Sequence, residues 1–158
     1  MRWIWIDKFI EFEPGRRAVA VKNLTLAEEH LHDHFPGCPV MPASLIIEGM
    51  AQTAGILVGH ARKFAEKVIL AKVKKAVFHD VARPGDQLHY EAVIEQIADA
   101  GASTSGKVTR DGRLFAEIDL FFSHIDQNMK GLKFPDENFV FTDQFKSLLH
   151  AYNLGNAS

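Results

Sequence analysis

The sequence predicts an α+β fold on two observations: one long helix that is apolar nearly all round, and several long segments patterned as strands. The helix is read from Pro42 onward, where Leu45, Ile46, Ile47, Met50, Ala51, Ala54, Ile56, Leu57 and Val58 leave little polar face. Such a helix belongs inside a core. Pro42 suits the first helical position, where its missing N–H is no loss. Gly49, Gly55 and Gly59 each weaken a helix by roughly 1 kcal/mol relative to alanine. They therefore predict close packing against something flat, and a sheet wrapped on the helix would supply it.

The strands are read in chain order. Trp3, Ile4, Trp5 and Ile6, then Phe9, Ile10 and Phe12, are patterned as a strand and stop at the turn signal Glu13-Pro14-Gly15. Arg16 to Leu24 resumes the pattern, which predicts a hairpin-like pair. Residues 25 to 42 carry three prolines and little periodicity, so they predict a long ordered loop, and such loops are usually functional. Beyond the helix, strands are predicted at Val68 to Phe78, Leu88 to Ala98, Ala102 to Thr109 and Leu114 to His124. Arg83-Pro84-Gly85-Asp86 and the tight Asp111-Gly112 signal turn the chain between them. One buried helix with several long antiparallel strands is an α+β architecture. Residues 125 to 158 read as an extension of the 1–124 domain. In it Thr142 can cap a short helix whose Phe145, Leu148, Leu149 and Tyr152 form a docking stripe, with Gly155 to end it.

Composition narrows the function classes. The chain has 158 residues, 47% apolar and 24% charged, as in ordinary soluble domains. No run of eighteen apolar residues predicts a membrane span. Charge arrives too early in Met1-Arg2-Trp3-Ile4-Trp5-Ile6-Asp7 for a secretory signal. The single Cys38 excludes an internal disulfide and fits a reducing compartment, so a cytoplasmic location is expected. A net charge of −2 provides no global field for nucleic acid.

Two features could carry chemistry. Glu48 sits between Ile47 and Gly49 in the apolar helix. An acidic side chain is almost never fully buried without a partner. In an apolar pocket its charged form is disfavoured, which suits a proton donor. Gln52, one turn later on the same face, is in reach to hold it. From the helix alone, a glutamate on the one wet stripe is the commoner case. The second feature is the segment His34-Phe35-Pro36-Gly37-Cys38-Pro39-Val40-Met41-Pro42, stiffened by its prolines and running straight into the helix. It fixes His34 relative to the free N–H groups of Ala43, Ser44 and Leu45, where developing negative charge is stabilised. Taken singly, a loop histidine with one hydrogen bond is the ordinary reading.

Other motifs are weaker. His30, His32 and His34 would share a face of an extended strand in a way that could suit zinc. No further ligand spacing supports this, and no metal is expected. Cys38 has no paired base nearby in sequence and reads as a small loop residue. There is no glycine-rich phosphate loop and no Gly-x-Ser-x-Gly elbow. Charge is uneven: Arg62, Lys63, Lys67, Lys72, Lys74, Lys75 and Arg83 face only Glu66 and Asp80 between residues 62 and 83. This is either a solvated surface or a docking patch for an acidic partner.

The constellation resembles a known family. His34-Phe35-Pro36-Gly37-x-Pro39-Val40-Met41-Pro42, followed by Leu45-Ile46-Ile47-Glu48-x-Met50-Ala51-Gln52, is similar to the signature of the 3-hydroxyacyl-acyl-carrier-protein dehydratases (FabZ-like) of type II fatty-acid synthesis. The fourteen-residue step from His34 to Glu48 matches, as do Val19-Ala20-Val21-Lys22-Asn23 and Pro84-Gly85-Asp86-Gln87-Leu88. The likeness covers roughly residues 3 to 124. It implies a hot-dog fold, an antiparallel sheet wrapped round the long central helix. It also implies a homodimer, which could assemble further into a trimer of dimers, with His34 of one chain facing Glu48 of the other.

The implied reaction removes water from a 3-hydroxyacyl chain on acyl carrier protein and needs no cofactor. Neutral His34 would be the base and protonated Glu48 the acid. The Ala43 N–H would polarise the thioester, with Gly37 and Gln52 as further binding residues. The basic stretch 62–83 would then meet an acidic carrier protein. Asp33 and Ala43 stand where the family usually has glycine, Val77 where an arginine is common, and residues 125–158 exceed the usual length. A thioesterase and a non-catalytic carrier-binding subunit are the alternatives on the same fold.

Overall fold

The computed structural model describes residues 3–125 and 140–155. The elements run β1 (Lys8–Glu13), β2 (Arg17–Asn23), α1 (Glu29–Asp33), α2 (Ala43–Ala61), β3 (Val68–Phe78), β4 (Gln87–Ala98), β5 (Gly101–Arg110), β6 (Arg113–His124) and α3 (Asp143–Gly155). Among the described residues the strands form one six-stranded sheet in the order β1-β2-β4-β5-β6-β3, every neighbouring pair antiparallel. Helix α2 packs on β2, β3, β4, β5 and β6, which is the wrapped-helix arrangement expected of a hot-dog fold. The joining stretch 126–139, in the expected 125–158 extension, lies outside the described residues. Among the described residues no helix is long and apolar enough to cross a membrane.

The local signals act as expected at the turns. Asp111 and Gly112 both take positive φ, 52° and 73°, and close a two-residue hairpin between Arg110 and Arg113. Those angles suit the right-handed twist of the flanking strands. Pro42 lies one residue earlier than expected: it is the N-cap of α2, and its carbonyl accepts from Leu45 and Ile46 at 3.0 and 3.3 Å.

Two expectations are corrected. The pattern from Trp3 does not begin a strand, because the ladder starts only at Lys8. The Trp5 N–H and the Trp3 carbonyl bond instead to the Gln52 carboxamide, so the segment is tied to the helix. Residues 25–42 are not loop throughout, since α1 closes one helical turn with Leu31 N–H donating to the Glu28 carbonyl at 3.1 Å. Burial of Leu31 in an otherwise polar segment explains the turn. The helix also removes the shared face of the three histidines, because residues two apart do not face each other. His32 Nε2 pairs with the Leu26 carbonyl at 2.9 Å, whereas His30 Nδ1 lies 3.6 Å from Glu28.

The helix glycines divide. A Cβ on Gly49 would lie 2.8 Å from Tyr90 Cζ, 2.9 Å from its hydroxyl and 3.1 Å from the Trp5 carbonyl oxygen, so here the sheet does press on the helix. At Gly55 the nearest atom, on Phe122, is at an ordinary 3.5 Å. At Gly59 the neighbour is Phe141 from the C-terminal segment, not the sheet. Gly49→Ala is expected to destabilise the protein by about 1–3 kcal/mol through overpacking, outweighing a helix-propensity gain of roughly 1 kcal/mol. Urea denaturation checks this, and a neutral or stabilising result contradicts the tight Tyr90 seat.

His30 gives a pH dependence. Burial is the largest influence on its imidazole and, with Lys22 and His34 against the partial offset of Glu28, holds its pKa below the ordinary 6.5. The unfolded chain therefore binds a proton that the folded chain resists. This contribution to stability is complete above the unfolded value and fades as pH falls towards the folded one. Thermal stability measured between about pH 7 and pH 5 should fall, and His30→Phe should flatten the slope. An equal slope in both proteins refutes the assignment.

Candidate active site

Helix α2 carries Glu48 half-buried, one turn before the buried Gln52. A carboxamide in such a place has to satisfy its hydrogen bonds within the protein. Gln52 does so by accepting from the Trp5 N–H at 2.8 Å and donating to the Trp3 carbonyl at 3.1 Å and to Glu48 Oε1 at 3.0 Å. The same Glu48 oxygen accepts from Trp3 Nε1 at 3.1 Å. Two donors on one oxygen fix the carboxyl group and leave Oε2 to face other partners.

From Glu48 an apolar cleft of about 230 Å³ extends along α2 past Ala51, Gly55 and Ile56. Its opposite side is formed by the start of β3, by Phe122 of β6 and by the C-terminal segment. The i, i+3, i+7 spacing of Glu48, Ala51 and Gly55 puts them on one stripe of the helix, small side chains following the carboxylate.

His34 lies at the C-cap of α1. Its Nδ1 is 2.9 Å from the Val40 carbonyl oxygen, and the Val40 N–H donates back to the His34 carbonyl at 2.9 Å. A carbonyl can only accept, so Nδ1 carries the hydrogen and Nε2 of the neutral ring keeps its lone pair. Between them Phe35 and Cys38 exchange backbone bonds at 3.2 and 2.9 Å round Gly37, whose φ of +74° favours glycine. The Phe35 ring stacks on His34 at 4.1 Å. The loop then joins the 80–86 turn through the Met41 N–H and the Ala82 carbonyl at 2.8 Å. Ala43 and Ser44 are exposed at the helix start, ahead of the first donor with a backbone acceptor, Leu45.

Sequence reasoning placed Glu48 beside Gln52, and the structure brings them together. It places His34, Gly37 and Ala43 on one loop and helix start, as expected, but none of these three lines the cleft beside Glu48 in the single chain. Trp3 was missed: read as a strand residue, it donates to the candidate acid and lines the cleft. Arg83 was read as part of a turn and of a basic run, and its Nη1 lies 3.5 Å from Cys38 Sγ, against the histidine loop. Arg110 shapes that turn, bonding to Asp80, to Asp86 at 3.0 Å and to the Val81 carbonyl at 3.0 Å. The Val81 N–H, together with Arg110, holds the Asp80 carboxyl below the usual range. Among the described residues no three His, Cys, Asp or Glu side chains are placed to hold a metal ion.

A central helix carrying an anchored carboxylate, with a histidine loop leading into its N-terminus and an antiparallel sheet wrapped on it, defines a hot-dog protein. The FabA-like domain model matches residues 3–119. Proteins named 3-hydroxyacyl-[acyl-carrier-protein] dehydratase FabZ are similar over most of their length. That of Thermomicrobium roseum is 38% identical over 125 residues, covering 78% of this chain and 84% of the relative. That of Thiobacillus denitrificans is 39% identical over 122 residues, covering 75% and 84%. Among solved structures, the dehydratase heterocomplex ApeI:P of Xenorhabdus doucetiae superimposes with a TM-score of 0.64 at 14% identity, over 79% of this chain and 85% of that one, and shares the fold. The chain belongs to the FabZ-like family of 3-hydroxyacyl-[acyl-carrier-protein] dehydratases.

Gln52→Leu should leave the buried Trp5 N–H without its acceptor and cost about 1–3 kcal/mol. Chemical denaturation measures the loss, and a red shift of tryptophan emission should accompany it as the N-terminal segment loosens. Unaltered stability and emission contradict the anchoring role.

Proposed function

We propose that this protein dehydrates 3-hydroxyacyl chains carried on acyl carrier protein to trans-2-enoyl thioesters, in fatty-acid synthesis in the cytoplasm. The observation that carries this reading is the Val40 carbonyl on His34 Nδ1, which leaves Nε2 as a base at the family's spacing from Glu48. His34 Nε2 takes the proton from C2, and the electrons of that C–H bond form the C2–C3 double bond. The C3–O bond breaks as Glu48 gives its proton to the departing hydroxyl, which leaves as water. The Ala43 N–H donates to the thioester carbonyl oxygen as negative charge develops there, the kind of fixed dipole that lowers such barriers. Gly37 shapes the turn that leads to this donor, and Gln52 holds Glu48. A proton passed from His34 to Glu48 through solvent resets the pair.

The active unit is a homodimer in this reading. The β1 edge of the sheet is covered by α3, whereas β3 lies at the other edge with Leu70, Val73 and Val77 exposed. A long open edge with apolar side chains favours pairing with another strand. His34 and the Glu48 cleft, apart within one chain, meet across such an interface. The exposed Lys72, Lys74 and Arg83 give an acidic carrier a surface of opposite charge. Residues 1–124 act as the catalytic domain and 125–158 as its extension.

Enoyl-thioester absorbance with a series of 3-hydroxyacyl-carrier substrates tests the reaction. His34→Ala and Glu48→Ala should each lower kcat by about 10²–10⁴-fold, with the circular dichroism spectrum retained. Mixing the two inactive variants should restore part of the turnover, since a mixed dimer contains one site with both residues intact. Thiol release without enoyl product would make the protein a thioesterase, and carrier binding without turnover a non-catalytic subunit.

A further inference from the structure

Part of the wall of the cleft opposite Glu48 comes from outside the part of the chain that the family model matches. Val140, Phe141 and Phe145, which line it, follow the 3–119 match by more than twenty residues. This wall is firmly seated. Phe141 is 4% exposed and lies so close over Gly59 that a Cβ there would be 2.3 Å from its Cζ. Phe64 meets the Phe141 ring edge-on at 5.0 Å. Helix α3 is pinned to the sheet edge: the Phe12 N–H donates to the Tyr152 hydroxyl at 3.2 Å, and Leu149 is buried. Gly59 is eleven residues beyond Glu48, about 16 Å along the axis of α2. The cleft thus starts at a carboxylate and runs towards an aromatic stop, with small apolar residues between. Its 230 Å³ lies below the roughly 300–1,000 Å³ of drug-sized sites.

We infer that the C-terminal segment is the end wall of the acyl-chain site, and that Phe141 and Phe145 set the longest chain accepted, favouring short to medium lengths. This rests on the acyl-thioester reading above. Each methylene that enters the cleft leaves water for an apolar wall, and the first one past the stop meets a ring held on both sides.

The test uses the full-length protein and two readouts. Calorimetric binding of unreactive acyl-pantetheine amides of increasing length should tighten by about fourfold per methylene up to a cut-off, then weaken. Phe145→Ala should move the cut-off to longer chains and Phe145→Trp to shorter ones, with the turnover profile on 3-hydroxyacyl carriers moving the same way. Phe145→Leu, a smaller perturbation, stands in if the alanine variant does not fold. A loss of stability alone would not move the cut-off in opposite directions in the two variants. A cut-off that stays put in folded variants, or a parent protein with no cut-off, overturns the end wall. A cut-off that shifts as expected in a protein that forms no enoyl product upholds the wall and overturns the dehydratase reading.

Discussion

The structure turns on one buried amide. Helix α2 is apolar on nearly every side because it runs through the core, and a polar group there is tolerated only when its hydrogen bonds are made internally. Gln52, 6% exposed, meets that condition by reaching the Trp5 N–H, the Trp3 carbonyl and Glu48. One side chain therefore fastens the N-terminal segment to the core and sets the carboxyl group of the site. Trp3 is 56% exposed, yet it completes the same network through Nε1. Anything that frees the first residues frees one of the two donors on Glu48 as well.

The histidine is governed by a different device. His34 and Val40 bond to each other twice, once through the backbone and once through Nδ1, and the five-residue excursion between them is closed by the Phe35–Cys38 pair. Backbone acceptors do not titrate or change rotamer, so the ring's tautomer is set by the chain path itself. The same loop leans on the 80–86 turn, which Arg110 clamps with Asp80 and Asp86. Glu48 is thus anchored from within the core, and His34 from a loop braced by the sheet.

Features whose causes are local were legible in the sequence. The buried helix, the strands from 68 onward and the Asp111-Gly112 turn follow from periodicity and from φ preferences. The His34-to-Glu48 spacing was legible as a motif. Features set by distant partners were not. Trp3 to Ile6 carries the pattern of a strand, and Gln52, forty-seven residues beyond Trp5, draws the Trp5 N–H and the Trp3 carbonyl to the helix instead. The three alternate histidines suggested an extended face because nothing in their spacing announces that Leu31 is drawn into the core. Gly59 was read as a seat for the sheet, and its true neighbour, Phe141, lies eighty-two residues away.

The extension solves two problems at once, which explains its aromatic content. A sheet of this order has two edges, at β1 and β3, and an uncovered edge invites unwanted pairing. At β1 the chain covers its own edge with α3, through Phe12 and Tyr152. The segment that leads into that helix crosses the far end of α2, where the missing side chain of Gly59 lets the Phe141 ring lie against the backbone. Covering the edge therefore brings Phe141 and Phe145 to the cleft by geometry, with no separate element needed. Because one docked segment serves both ends, its aromatic side chains are constrained by packing on one side and by the cleft on the other. Residue size at Phe145, half-buried between the two, is the freer variable, and chain-length preference can change there with less disturbance of the fold than at Phe141.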